Sequence, residues 1–286
     1  MRSVGVVGAG TMGSGIAHLA AAAGFETVLH DISASLIERG LGRISADLAK
    51  RVGKGRMSDP EAESILSRIR AGDTLEKLGN CDIVIEAAAE DRAVKMDIFR
   101  RLSSVSPPSP GGRILATNTS SISVTALASA VSEPERFLGI HFFNPAPVMK
   151  LVEVVRGHRT SDETVRAAVG FAERLGKVPV VVADTPGFIV NRVARPFYGE
   201  ALKILGEGVA DAAGIDRIVR AVGGFRMGPF ELMDLIGIDV NFAVTKSVYE
   251  QTFGEPRFRP HVIQERMVNA GLLGRKTGRG FYDYGG

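Results

Sequence analysis

Val4-Gly5-Val6-Val7-Gly8-Ala9-Gly10-Thr11-Met12-Gly13 joins a short apolar run to a glycine turn. An alanine-rich stretch follows to Ala23, with Gly24 as its stop, and Thr27-Val28-Leu29-His30 reads as a second strand ending at Asp31. Strand, glycine turn, helix, strand and acid is the order a dinucleotide-binding unit requires. Gly8 permits the tight turn, Gly10 lets the backbone approach a pyrophosphate, and Gly13 lets helix and strand pack closely. The helix start offers unpaired N–H groups and a positive dipole end to the phosphates. Residues 8–13, Ala9, Thr11 and Met12 included, are therefore expected around the cofactor. Asp31 lies at the spacing that accepts hydrogen bonds from the adenosine ribose hydroxyls. It would repel a 2′-phosphate, and Ile32-Ser33-Ala34 supplies no arginine to accommodate one. NAD is expected rather than NADP.

The same stretch makes a poor membrane span or signal peptide, because residues 4–23 hold five glycines and His18 and show no basic n-region. At 286 residues and 45% hydrophobic content the chain can bury a large core and is expected to form two domains. Its single cysteine, Cys81, excludes an internal disulfide framework and fits a cytoplasmic location. Cys81 reads as a packing residue. The net charge of +3 comes without a Lys/Arg block or interleaved aromatics, which argues against nucleic acid as a partner. The five histidines are scattered, so no metal site is expected.

Ile44, Leu48 and Val52 recur at helical spacing, with Arg43, Asp47, Lys50 and Lys54 on another face. Ser58-Asp59-Pro60-Glu61 is a capping-box start for a second helix running towards Arg70. This pair, about residues 41–71, interrupts strand–helix alternation and is expected to project from the sheet. Its basic face admits two readings, a phosphate contact or a solvated surface. Ile83-Val84-Ile85 reads as a strand leading to Glu86 and Glu90, with a helix over about residues 91–103. Ser106-Pro107-Pro108-Ser109-Pro110-Gly111-Gly112 reads as a surface loop. A strand near residues 114–116 precedes Asn118-Thr119-Ser120-Ser121, placing Asn118 and Ser120 where open α/β sheets bind ligands. A helix cap and a substrate contact both suit these side chains.

His141-Phe142-Phe143-Asn144-Pro145-Ala146-Pro147 and Lys150-Leu151-Val152-Glu153-Val154-Val155 read as two strands joined by a proline-punctuated turn. Adjacent strands would bring His141 and Glu153 together, and a carboxylate on one ring nitrogen leaves the other to move a proton. The competing reading is a satisfied core histidine beside an outward-facing glutamate. A helix near residues 162–175 and a strand over 178–182 follow. Strand signals then nearly vanish. Residues 188–205, 215–222, 230–236, 239–252 and 260–271 read as helices, with Pro196 expected to kink or end the first regular segment. The domain boundary is placed at 185/186, giving an α/β Rossmann-like domain (residues 1–185) with a projecting helical pair and an all-α C-terminal domain (residues 186–286).

Taken together, the segments above, with Pro186-Gly187-Phe188-Ile189-Val190-Asn191-Arg192, Gly228-Pro229-Phe230-Glu231-Leu232 and Gly274-Arg275-Lys276-Thr277-Gly278-Arg279-Gly280-Phe281-Tyr282-Asp283-Tyr284, resemble the L-3-hydroxyacyl-CoA dehydrogenase family, 3-hydroxybutyryl-CoA dehydrogenase type. The resemblance covers essentially the whole chain. It implies NAD-dependent interconversion of an L-3-hydroxyacyl-CoA and a 3-oxoacyl-CoA. His141 is implied as general acid/base with Glu153 as its electrostatic partner, and Ser120 and Asn191 as ligands of the substrate oxygens. Glu90, Lys95, Ser120, Asn144 and Lys276 would join the glycine turn and Asp31 around NAD, and Lys54 would meet the CoA phosphates. Asp47 departs from the serine of some relatives at the CoA site. The resemblance further implies a homodimer through the helical domain. Two rivals stand beside it. A free-acid β-hydroxyacid dehydrogenase would use a lysine base, but Lys150 is one residue out of phase with Glu153 on the strand. A non-catalytic NAD(H)-binding protein on the same fold would need no proton-transfer pair.

Overall fold

The structure is a computed structural model that describes residues 1–105 and 112–285. The chain divides into two units, Met1–Asp184 and Thr185–Gly286. Residues 106–111, most of the expected Pro/Gly loop, lie outside the described residues.

Among the described residues of the first unit, eight strands form one sheet. They are β1 (Ser3–Val7), β2 (Glu26–His30), β3 (Ile69–Gly72), β4 (Ile83–Glu86), β5 (Ile114–Thr117), β6 (Phe137–Phe142), β7 (Leu151–Arg156) and β8 (Val178–Ala183). Their spatial order is β3-β2-β1-β4-β5-β6-β7-β8. The first six pair in parallel, in the doubly wound dinucleotide-binding order. The order reverses between β1 and β4, and that switch point leaves a crevice at the strands' carboxyl ends. β7 turns back antiparallel on β6, and β8 extends the edge parallel to β7.

Between these strands run α1 (Thr11–Ala22), α2 (Ala34–Gly53), α3 (Asp59–Ser67), α4 (Arg92–Val105), α5 (Val124–Ala128) and α6 (Asp162–Arg174). Small side chains let α1 lie close to the sheet, where Ile16, Ala17, Ala20 and Ala21 are fully buried. Burial of residues such as Ile16, Leu29 and Phe99 contributes about 1.5–3 kcal/mol each. Phe99 of α4 meets Phe137 of β6 edge to face at 4.7 Å, fixing that helix over the sheet centre.

The expected helical pair differs from α2 and α3 at both ends. α2 starts at Ala34, where the Ser33 hydroxyl caps the amide of Leu36. α3 has the expected capping box between Ser58 and Glu61, but it stops at Ser67. Residues 69–72 form β3 instead, an edge strand with two exposed residues in four and little apolar signal to announce it.

The second unit is helical: α7 (Val190–Gly206), α8 (Ala212–Gly223), α9 (Pro229–Ile236), α10 (Ile238–Gln251) and α11 (Val262–Asn269). α7 runs through Pro196 without ending there. The core gathers Tyr198, Leu202, Ile215, Phe230, Met233 and Ile238. Two buried acids tie the chain end to it. Asp216 accepts from the amides of Phe230 and Glu231 and from the Tyr282 hydroxyl at 2.7–3.0 Å. Asp234 accepts from the amides of Phe281 and Tyr282 and from the Tyr284 hydroxyl, each at 3.0 Å. Among the described residues no helix is long and apolar enough to cross a membrane.

Candidate active site

The glycine turn leaves the carboxyl end of β1 and enters α1. Gly8 has φ +100°, a conformation that favours glycine. A Cβ on Gly13 would lie 1.7 Å from the Gly8 carbonyl oxygen, so turn and helix can approach this closely only without a side chain. Gly10 is different, since a Cβ there would meet nothing within 4 Å. Gly10 instead borders the open cavity at the end of β1. Gly10 caps α1 without a side chain, and the first turn carries no acid to compete with a phosphate.

A cavity of about 1120 Å³ opens at this switch point, bordered by Gly8, Gly10, Asp31, Ile32 and residues 87–89. Asp31 is fixed at its rim. Its Oδ2 accepts from the Ala9 amide at 2.6 Å and its Oδ1 from the Ile32 amide at 2.7 Å. Each oxygen has a further lone pair for a ribose hydroxyl. To a dinucleotide the groove thus offers the amides at the start of α1 and a carboxylate fixed at its rim.

The β6–β7 register places His141 directly opposite Glu153. His141 Nδ1 lies 2.8 Å from Glu153 Oε2, and the two residues are 6% and 1% exposed. A buried carboxylate needs such a partner, since burial without one is costly. The His141 ring also packs on Phe143, with centroids 4.5 Å apart. The connection between the strands is pinned by the Lys177 ammonium, which donates to the carbonyls of Ala146 and Met149 at 2.6 and 2.8 Å. Asn144 lies exposed on that connection, as does Lys150 just before β7.

At the carboxyl ends of β4 and β5 a second polar group forms. Glu90 Oε1 accepts from the Thr119 hydroxyl at 2.6 Å and from the Ser120 amide and hydroxyl at 2.9 and 3.2 Å. The Ser121 amide and hydroxyl approach the same oxygen at 3.2 and 3.1 Å. Lys95 Nζ, 1% exposed, reaches Glu90 at 3.2 Å and Glu86 at 2.6 Å. Burial works against charge on Glu90, but the Lys95 ammonium and the Thr119 and Ser120 donors outweigh it and hold the carboxyl below its ordinary value. Asn118 acts structurally, its Oδ1 accepting from the Phe142 amide at 2.9 Å.

The remaining expected residues stand apart from these groups. Lys54 is exposed at the carboxyl end of α2. Asp47 pairs with Arg51 at 3.0 Å and faces His18 at 3.4 Å. In the helical unit, Asn191 lies in the first turn of α7, and the Lys276 ammonium meets Asp239 at 2.7 Å. Cys81 is buried, which pushes its thiol up to about 11 and makes it a packing residue. Among the described residues no group of acids, histidines or cysteines could hold a metal ion.

Sequence reading gave Glu86 no role. Two signals mark it: a carboxylate closing the apolar run Ile83-Val84-Ile85, and Lys95 on the same face as buried Phe99 and Leu102, four and seven residues on.

Residues 3–185 match the 3-hydroxyacyl-CoA dehydrogenase NAD binding domain, and residues 187–284 match the 3-hydroxyacyl-CoA dehydrogenase C-terminal domain. A 3-hydroxyadipyl-CoA dehydrogenase of Escherichia coli K12 is 48% identical over 99% of this chain, which spans 59% of that protein's length. A probable 3-hydroxybutyryl-CoA dehydrogenase of Deinococcus radiodurans is 45% identical over 98% of this chain and 99% of its own. The crystal structure of an (S)-3-hydroxybutyryl-CoA dehydrogenase from Ralstonia eutropha superposes with a TM-score of 0.94, at 42% identity and with full coverage of both chains. With both domains present, the chain belongs to the 3-hydroxyacyl-CoA dehydrogenase family of NAD-dependent oxidoreductases.

Proposed function

We propose that the chain interconverts an L-3-hydroxyacyl-CoA and its 3-oxoacyl-CoA, with His141 moving the proton and Glu153 stabilising the charged ring. The observation that carries this reading is the 2.8 Å contact between His141 Nδ1 and the buried Glu153 carboxylate. With Nδ1 committed to Glu153, proton exchange with substrate runs through Nε2. NAD, when bound, supplies the hydride acceptor for C3. His141 takes the hydroxyl proton as the hydride leaves, and Glu153 lowers the energy of the imidazolium that results. In reduction His141 returns the proton to the developing alkoxide.

Ser120 and Asn191 are assigned to the substrate oxygens, whose orientation converts binding into rate. The glycine turn, Asp31, Glu90, Lys95, Ser120, Asn144 and Lys276 are assigned to the NAD site. Lys54 is assigned to the CoA phosphates, a role supported by its exposure beside Lys50 and Arg56 at the tip of α2. A homodimer through the helical unit belongs to the same proposal, supported by exposed Val193, Ile218, Val222 and Phe225. So does work in the cytoplasm, supported by the single buried thiol. The relatives' names range from hydroxybutyryl to hydroxyadipyl.

The test follows NADH absorbance on mixing protein with acetoacetyl-CoA, with NADPH as the control. Rapid NADH consumption with little NADPH consumption is expected. Absence of turnover with acetoacetyl-CoA and with a panel of longer and dicarboxylyl-CoAs would sink the proposal, and equal activity on a free 3-oxo acid would sink the thioester assignment.

A further inference from the structure

We propose that Glu86, the last residue of β4, is a positioning residue for the reaction: it holds Lys95, Lys95 holds Glu90, and Glu90 orders the segment that presents Ser120. The inference rests on the roles proposed above for Glu90 and Ser120, and it assigns a role to a residue that belongs to neither the glycine nor the histidine motif, although Glu86 pairs with Val7 beside the glycine turn.

Every link of the chain is a short polar contact. Glu86 is fully buried. Its Oε2 accepts from the Thr117 hydroxyl on the neighbouring strand at 2.8 Å. Its Oε1 accepts from Lys95 Nζ at 2.6 Å and from the Ala88 amide at 2.7 Å. All of these neighbours are donors, so the geometry calls for the ionised carboxylate, although burial pushes Glu86 up from its ordinary value. Lys95 Nζ directs its protons to protein acceptors: Glu86, Glu90 at 3.2 Å and the Ala88 carbonyl at 3.5 Å. The ammonium is thus a strut between two carboxylates. It fixes the 86–90 turn, which borders the cofactor cavity through residues 87–89.

Glu90 passes the constraint on. Five donors from residues 119–121 converge on its Oε1 at 2.6–3.2 Å, more than one oxygen can hold at full strength. The Thr119 hydroxyl and Ser120 amide make the shortest of these bonds and fix the backbone. The Ser120 hydroxyl, at 3.2 Å, ties with the Ser121 amide as the longest, so Glu90 keeps its shorter bonds when that hydroxyl serves a substrate oxygen. Without Glu86, Lys95 would draw Glu90 towards itself and away from Ser120, and the turn holding both would lose its anchor at Ala88.

The test compares Glu86→Gln, Thr117→Val and the double variant Glu86→Gln/Lys95→Met with the wild type. Glu86→Gln is expected to lower kcat about tenfold or more while KM for acetoacetyl-CoA stays within about threefold, as expected when reacting groups shift slightly. Its NADH dissociation constant, read from NADH fluorescence, is expected to rise about threefold or more. The double variant removes an ammonium left with Glu90 as its carboxylate partner, so its thermal midpoint should recover, while kcat should stay low because Lys95 is itself assigned to the NAD site. Wild-type kcat in Glu86→Gln would overturn the proposal, as would a double variant that recovers midpoint and kcat together, since the role would then be structural. If Glu86→Gln does not fold, Thr117→Val decides, with kcat expected to fall about threefold and an unchanged kcat overturning the proposal. A wild type inactive on every acyl-CoA would remove the reaction reading alone. NADH affinity would then decide for Glu86, a weakened value supporting the role and an unchanged one ending it.

Discussion

Among the described residues of the first unit, two histidine–carboxylate pairs stand in different surroundings. His141 and Glu153 sit opposite each other on paired strands, 2.8 Å apart, with side chains 7% and 1% exposed. His18 and Asp47 meet across α1 and α2 at 3.4 Å, with side chains 4% and 44% exposed. Asp47 is closer to Arg51, at 3.0 Å, than to the histidine. Its charge is divided and solvated, so it does little to favour an imidazolium. Burial lowers the His18 pKa, Arg51 lowers it further, and Asp47 offsets only part of this. His18 is a neutral packing group. A buried histidine beside an acid is thus not by itself a proton-transfer pair. What separates the two is how deeply the acid is buried, 1% exposed beside His141 and 44% beside His18.

The sharpest way to break this comparison is to remove either member of the strand pair. His141→Ala and Glu153→Ala are each expected to lower kcat by roughly 10²-fold or more, with NADH affinity close to wild type. Steady-state kinetics on acetoacetyl-CoA alongside NADH titration provide the check. Unchanged kcat in either variant would remove that residue from the mechanism.

A milder substitution sharpens the comparison by separating geometry from charge. Glu153→Gln keeps an oxygen that accepts from Nδ1, so the ring stays oriented, but it cannot stabilise the imidazolium as an anion does. A hydrogen bond to a charged group exceeds a neutral one by about 1–1.5 kcal/mol. A loss of that size is about tenfold in rate, less than the alanine variant loses. Equal losses in Glu153→Gln and Glu153→Ala would mean that charge carries the whole effect and orientation none.

Legibility in the sequence follows the range of the interactions. The glycine turn is local: Gly8, Gly13 and Asp31 are separated by one strand–helix–strand unit, and the structure brings Ala9 and Asp31 within 2.6 Å. The strand pair was legible because two apolar runs with a short proline-punctuated connection read as adjacent strands, on which His141 and Glu153 meet. β3 was not, because four residues with two exposed carry too little pattern. The start of α2 was missed because Ser33 as a cap outweighs the absence of a strong apolar stripe in its first turn. The Glu86–Lys95–Glu90 group escaped for a different reason. Its members come from β4, the turn after it and α4, and their acceptors and donors from β5 and beyond. Only the sheet order brings Thr117 beside Glu86. A charged residue on an apolar stripe signals that a partner exists, but not which one.

The smallest expected effect falls on the second histidine pair. Because His18 has a folded-state pKa below its ordinary 6.5, the unfolded chain binds more protons between those two values. Stability from this group is therefore complete above about pH 6.5 and is lost as pH falls through the folded pKa. His18→Gln keeps a polar side chain of similar reach but cannot titrate. Urea unfolding midpoints at pH 7.5, 6.5 and 5.5 should fall more steeply for the wild type than for the variant below pH 6.5. Turnover at pH 7.5 should stay within about twofold, as for substitutions outside the reacting groups. Parallel midpoint curves would mean that His18 enters the folded protein with its proton affinity unaltered, and the contrast with His141 would lose its electrostatic basis. A large loss of turnover in His18→Gln would break it from the other side, by giving a helix-borne pair the chemistry assigned to the strand-borne one.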